Sequence, residues 1–363
     1  MTKPVGMGVV GAGAIALRGV LNHLAVEDAH DRVRPAAVCD PVPGRAKAAS
    51  EKFGVARWYE TYEELLADPA VNAVSLCSPI GLHYQQGVQA IEAGRHVHFN
   101  KTMAITVAEC DDLIARAAAR NVRLVASPGM MLHPHNQRIR DAVRGGAIGR
   151  VIWAITGVSG VAEYHLGEEY RTGEDVLTAV DPTWYFRKPG GGPLYDVIVY
   201  CLHNLTGILG PARRVTALSG LALKEREFRG ATIKCDMDDS TFMLLDFGET
   251  VYAVVYGTVS GGVAQGFQPT IFGTRGSVIG TEVNGEPMRR EGEGMPHWTG
   301  PHGKMPEAHV YEDVMQLVDW VREGKPSVAN AEHARHVIDI FESTYRSAET
   351  GQTENLVTAQ RAW

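Results

Sequence analysis

A chain of 363 residues, 45% hydrophobic and 21% charged, has the make-up of an ordinary globular protein and exceeds what one hydrophobic core usually serves, so two domains are expected. A net charge of -7 argues against a nucleic-acid surface, and no run approaches the roughly 18 apolar residues of a membrane helix. No signal-peptide pattern precedes the first apolar run, and Cys39, Cys77, Cys110, Cys201 and Cys235 are scattered as free thiols would be, so a cytoplasmic location is expected.

The chain begins with the apolar run Met7 to Val10, which empties into Gly11-Ala12-Gly13-Ala14-Ile15-Ala16. A glycine turn between a strand and a helix suits a pyrophosphate: Gly11 permits the bend, Gly13 lets the backbone approach the phosphates, and Ala16 allows close helix packing. Helix-start amides then face the anion. A second strand, Ala36 to Cys39, ends at Asp40, a carboxylate placed to accept from both ribose hydroxyls and to repel a 2′-phosphate. The expected cofactor is therefore NAD rather than NADP, although Arg45 lies close by. Further strands are expected at Ala73 to Cys77, His96 to Phe99 and Arg123 to Ala126. Helices are expected at Glu63 to Ala67, Tyr84 to Ala93 and Val107 to Arg120. This alternation describes a doubly wound, parallel-sheet Rossmann domain over residues 1–126.

Past residue 150 the texture changes. Val151 to Gly157, Arg214 to Leu218, Thr241 to Phe247, Thr250 to Thr258 and Pro269 to Gly273 read as strands without full crossover helices between them. Helices are expected near Asp196 to Leu209, His309 to Arg322 and Ala331 to Ser347. Residues 127–363 are thus expected to form an α+β domain with a large, mostly antiparallel open sheet. It would bind substrate and, through the sheet's spare face, join a homodimer or homotetramer. The acidic segment Glu163 to Asp181 reads either as a solvated loop or as a lid over a cleft. Neither His96 and His98 nor His133 and His135 bring a partner at metal-ligand spacing, so no metal is expected.

Two segments carry candidate chemistry. His96-Val97-His98-Phe99-Asn100-Lys101-Thr102 delivers a lysine at the carboxyl end of a strand, the edge where doubly wound sheets bind ligands. Gly190-Gly191-Gly192-Pro193 then opens a helix on which Asp196, Tyr200 and His203 fall on one face. An acid, a phenol and an imidazole in one stripe of a buried helix would each cost a few kcal/mol if left unsatisfied. Just upstream, Trp184, Tyr185 and Arg187 could cover a cofactor ring or bind hydroxyls, or simply pack.

In these features the chain resembles the Gfo/Idh/MocA group of nicotinamide-dependent oxidoreductases. The resemblance runs through the Gly11 turn, Ser78-Pro79 with Leu82-His83, the lysine after His98-Phe99-Asn100, Leu132-His133-Pro134, the Gly190 turn with Asp196, Asp239-Ser240, and Gly273-Thr274-Arg275-Gly276-Ser277. It implies Ser78, Pro79, His83, Asn100 and Lys101 as cofactor contacts, and hydride transfer between nicotinamide and a hydroxyl-bearing carbon of a sugar, polyol or glycoside. Lys101, Asp196 and Tyr200 would be catalytic, with His203 as a substrate contact or rival base and Tyr185 and Arg187 as substrate contacts. The chain departs from the group's usual Glu-Lys-Pro with Asn100-Lys101-Thr102, and has Tyr200 where many members have histidine. A tyrosine anion at neutral pH costs roughly 4 kcal/mol, and an ammonium about 4 Å away would supply about that much. Lys101 is therefore expected to assist Tyr200, and Asp196 to orient a substrate hydroxyl or hold Lys101 in place. Two alternatives remain: glycoside cleavage by oxidation and elimination with cofactor recycling, and an inactive ligand sensor.

Overall fold

The computed structural model describes residues 3–159, 166–167, 169–263 and 266–359. Its first sheet contains β1 (Val5–Val10), β2 (Val33–Cys39), β3 (Trp58–Tyr59), β4 (Ala73–Leu76), β5 (His96–Phe99) and β6 (Leu124–Ala126), all parallel, in the order β3-β2-β1-β4-β5-β6. The strands β1 and β4 are buried along their whole length, as a parallel sheet covered on both faces requires. Five of these strands follow from hydrophobic runs. The sixth, β3, is two residues long at the sheet edge, too short to show a period.

The crossover helices are built from local signals. Thr106 and Glu109 form a reciprocal capping box at the start of Val107–Arg120, and Asn121 ends that helix in the left-handed region. Arg45–Phe53, whose apolar face consists mainly of alanines, is marked in the sequence by Gly54, which closes it in the left-handed region, whereas Pro134–Arg144 is a helix that hydrophobic periodicity did not reveal.

Among the described residues the second sheet has nine strands: β7 (Val151–Ser159), β8 (Arg214–Gly220), β11 (Ser240–Gly248), β12 (Val251–Thr258), β13 (Thr270–Gly273), β14 (Gly276–Ile279), β15 (Glu282–Val283), β16 (Glu286–Pro287) and β17 (Glu354–Asn355). A separate hairpin pairs β9 (Glu225–Phe228) with β10 (Ala231–Lys234). All pairs in the large sheet are antiparallel except β7 with β12. Along β11, Thr241, Met243 and Leu245 are buried while Phe242 and Leu244 are exposed, the alternation of a sheet with one covered face. Helices Val199–Leu209 and Ala331–Thr350 supply that cover.

One helix after the second sheet's strands, Ala308–Glu323, returns to the first domain. Val310, Tyr311, Val314, Leu317 and Val318 of the helix Ala308–Glu323 belong to the same hydrophobic core as Val5, Met7 and Leu17 of the first domain. That return brings the start of this helix, where Glu307 and His309 lie, beside the glycine turn after β1. Among the described residues no helix is long and apolar enough to cross a membrane.

Candidate active site

Parallel strands deliver their carboxyl ends to one edge of the sheet, and a cavity of about 960 Å³ opens there. Gly11, Gly13, Ala14 and Ile15 line it after β1, Asp40 after β2, Ser78 and Pro79 after β4, and Asn100 and Lys101 after β5. The second domain contributes Val180, Asp181, Trp184, Asp196, Tyr200, Phe267 and His309.

The glycine turn is shaped from both sides. Gly11 has φ +87°, and a Cβ there would lie 3.0 Å from the Ser78 amide nitrogen, so a side chain is excluded by conformation and by space. At Gly13 a Cβ would meet, among the described residues, only Val180 Cγ1 at 3.7 Å. The protein leaves that space open, and a methyl would intrude on the cavity rather than on the fold. Asp40 accepts from the amides of Ala12 (2.8 Å) and Val42 (2.9 Å), and Arg45 Nη1 stands 3.5 Å from its Oδ1. Asp40 therefore braces the turn as well as bordering the cavity, and part of its charge is offset by a cation.

His83 is placed differently from expectation. Its ring is buried between the carbonyl oxygens of Thr102 (2.7 Å from Nδ1) and Ser78 (3.0 Å from Nε2), and it does not line the cavity. Burial lowers its pKa, against the opposing pull of the two carbonyls. Its role is to tie the loop after β4 to the loop after β5. Asn100 is 5% exposed, and its Oδ1 has no hydrogen-bond partner among the described residues. A buried acceptor left open at a cavity wall fits a ligand that donates to it.

The two domains are stitched together at Lys101. Its ammonium donates to Asp196 Oδ1 and to the Asp196 carbonyl, both at 2.5 Å, and Thr102 Oγ1 donates to the Tyr195 carbonyl at 2.5 Å. The pair is nearly enclosed, with side chains 13% and 6% exposed. Behind it Gly190, at φ +83°, passes so close that a Cβ would come within 2.9 Å of the Gly81 amide nitrogen.

Tyr200 lies beside this pair, stacked on Phe267 with ring centroids 4.7 Å apart and with Lys101 Nζ 5.2 Å from its ring centre. Its hydroxyl faces His309 Nε2 at 3.1 Å. Glu307 Oε2 is 3.6 Å from His309 Nδ1, and Arg18 is 3.1 Å from the same carboxylate. The expected Lys101 assistance would act across the ring face rather than at the hydroxyl. The ammonium is committed to Asp196 and sits over the ring face, while burial, Glu307, Asp196 and Asp313 push the Tyr200 phenol well above its ordinary pKa.

Three other sequence candidates lie away from the cavity. His203 is one step too deep: three residues past Tyr200 carries it about 4.5 Å along the helix, where it packs on His333 with ring centroids 4.5 Å apart. Burial pushes its pKa down to about 3. Tyr185, 1% exposed, is core with Phe186 and Ile233, and Arg187 is half-exposed at 3.8 Å from Asp236. Of the acidic segment, Glu163 and Glu168 fall outside the described residues. Asp181 and Val180 border the cavity, and Leu177 is buried in the first domain's core. Sequence reasoning missed Arg18, Phe267, Glu307 and His309. No local signal marks Glu307 and His309, because the helix Ala308–Glu323 also carries Glu312, Asp313 and Asp319 along its length. Among the described residues no group of three potential metal ligands occurs.

Comparison with known proteins places this geometry in context. A family model described as an oxidoreductase family with an NAD-binding Rossmann fold matches residues 5–127, and one described as the GFO/IDH/MocA C-terminal domain matches residues 136–279. Uncharacterized oxidoreductase ORF334 of Rhizobium meliloti is 33% identical over 196 residues, 54% of this chain and 53% of that protein. The dTDP-3,4-didehydro-2,6-dideoxy-alpha-D-glucose 3-reductase of Streptomyces violaceoruber is 31% identical over 227 residues, 62% of this chain and 60% of that protein. The chain thus spans between half and two thirds of the length of these relatives. The WlbA dehydrogenase from Bordetella pertussis, solved in complex with NADH and UDP-GlcNAcA, shares the fold with TM-score 0.73 at 21% identity, covering 98% of this chain and 99% of that one. With both of its domains matched in order, and the Rossmann turn and the Lys101–Asp196 seam in place, the chain belongs to the Gfo/Idh/MocA oxidoreductase family.

Proposed function

We propose that this protein is an NAD-dependent dehydrogenase or reductase acting on a hydroxyl-bearing carbon of a sugar, polyol or glycoside. The observation that carries the reading is the meeting of Lys101 from one domain with Asp196 and Tyr200 from the other, in a cavity whose far end is the Gly11 to Ile15 turn. The open space at Gly13 and the unpartnered Asn100 Oδ1 fit a dinucleotide. Gly11, Gly13, Ala14, Ile15, Asp40, Ser78, Pro79 and Asn100 would hold it. Nicotinamide supplies the acceptor or donor of a hydride when bound. The carboxylate of Asp40 favours an unmodified ribose over a 2′-phosphate, with Arg45 weakening that preference.

The remaining work falls to this chain's own groups. Lys101 offers a cation to the reacting oxygen and is held in one orientation by Asp196. Tyr200 presents a hydroxyl that can exchange the substrate's proton. Trp184 and Phe267 supply flat apolar walls suited to the C–H face of a sugar ring. His203, Tyr185 and Arg187 take no part in this scheme.

The reading is tested by NAD binding and turnover together. NAD should raise the melting temperature by mass action, and a panel of sugars, polyols and glycosides should include one that produces NADH. A protein that binds no dinucleotide, or reduces none with any member of the panel, is not this enzyme. We also infer a cytoplasmic, homo-oligomeric protein, on the grounds of five free cysteines and the exposed apolar face of the second sheet, where Leu218 is 74% and Phe242 53% exposed.

A further inference from the structure

We propose that His309 is the proton acceptor behind Tyr200, so that substrate oxidation moves a proton along a Tyr200–His309 pair that Glu307 and Arg18 hold in place. The inference rests on the dehydrogenase reading of the same cavity and names a group that reading does not contain. In the oxidation direction the substrate O–H gives its proton to Tyr200 Oη as the Tyr200 proton passes to His309 Nε2. With a nicotinamide bound to take the hydride, the carbinol carbon would become a carbonyl carbon, and the imidazole an imidazolium. In reduction each transfer runs backwards.

Four observations support the assignment. The Tyr200 hydroxyl and His309 Nε2 are 3.1 Å apart, the separation of a hydrogen bond, and both side chains line the cavity. For the hydroxyl to donate, Nε2 must be bare, which puts the ring proton on Nδ1, the nitrogen turned toward Glu307. Glu307 is fixed in turn by Arg18, which follows the glycine turn, so the imidazole is oriented by groups from both ends of the chain. Lys101 is unsuited to the same task because an ammonium, here donating to Asp196, has no lone pair with which to accept a proton.

The electrostatics agree with the geometry. Burial lowers the pKa of His309, with Lys101 and Arg18 adding to the lowering, so the ring rests neutral with a nitrogen free to accept; Glu307, which pulls the pKa upward, is the group that favours the imidazolium. Tyr200 by contrast is held far above its ordinary value and serves as a conduit, never needing to exist as a free anion. The cost of forming tyrosinate is avoided by moving both protons together.

The experiment uses the full-length protein with NAD and a substrate found in the panel above. His309→Ala should lower kcat on the order of 100-fold while KM and the affinity for NAD change less than about threefold, and free imidazole should restore part of the loss. His309→Gln keeps a side chain that can donate to Tyr200 but cannot carry the proton; it should be equally slow with an unchanged melting temperature and no imidazole rescue. A readout without turnover is the His309 ring signal in spectra of histidine-labelled protein free of cofactor, identified by its loss in His309→Ala. It should move in Tyr200→Phe, which removes the hydroxyl and keeps the stack on Phe267. A wild-type protein that turns over beside a His309→Gln variant of equal kcat overturns the proposal and spares the dehydrogenase reading. Absence of turnover in wild type overturns both, and a ring signal indifferent to Tyr200→Phe overturns the pairing itself.

Discussion

The Lys101–Asp196 pair bolts the two domains together, and removing one partner should show how firmly. At 2.5 Å and an effective dielectric near 20, the attraction is about 7 kcal/mol. Most of that is offset by the loss of hydration of two side chains only 13% and 6% exposed. Removing one partner alone forfeits the attraction while the other charge stays nearly enclosed, a situation that costs about 3 to 5 kcal/mol in buried pairs. Because Lys101 borders the cavity and can turn toward its water, Asp196→Ala should fall at the lower end, about 3 kcal/mol, or a melting temperature lower by roughly 6 to 12 °C. Lys101→Met should cost a similar amount. The double variant, with no orphaned charge, should melt closer to wild type than either single variant, while all three lose turnover. Calorimetric scans at pH 7.5 without cofactor measure this. The melting temperature is the quantity to compare, since two domains need not unfold in one step. An Asp196→Ala protein within about 1 °C of wild type, or a double variant whose loss is the sum of the singles, would refute the view of the pair as an enclosed bolt.

Gly13→Ala should leave the melting temperature unchanged, because its methyl meets, among the described residues, only Val180 Cγ1 at 3.7 Å, yet weaken NAD binding by tenfold or more by titration; unchanged affinity would move the dinucleotide elsewhere. His297 lies 2.9 Å from Glu312 and 3.2 Å from Asp319; against the lowering effect of burial, these two carboxylates raise its pKa to about 9. A raised folded pKa stabilises fully below the unfolded value near 6.5 and loses that contribution as pH climbs through 9, a ceiling of about 3 kcal/mol. The melting-temperature gap between wild type and His297→Gln should therefore narrow from pH 6 to pH 9.5, and a constant gap contradicts the assignment. Phe242→Glu with Leu218→Glu, on the open face of the second sheet, should shift light-scattering mass to the monomer with the melt of each chain otherwise preserved; an unaltered oligomer would mean that another surface is used.

What the order of residues determined was whatever depends on near neighbours. The glycine turn after β1, the strand ends that carry Asp40, Ser78 and Lys101, and the turn that opens the helix of Asp196 and Tyr200 are all short-range patterns. Once the strands were known to be parallel, their carboxyl ends had to share one edge, so much of the cavity wall followed. Tertiary structure decided the partnerships across it. His309 lies 109 residues from Tyr200, and only the return of the helix Ala308–Glu323 to the first domain's core brings them together. The same folding chose, of the two tasks expected of Asp196, the holding of Lys101, and set how far the cavity reaches along one helix, leaving His203 outside its lining. Helical spacing reports the face a residue occupies; depth and charge partners are set by what packs against that face, and the packing elements are distant in sequence.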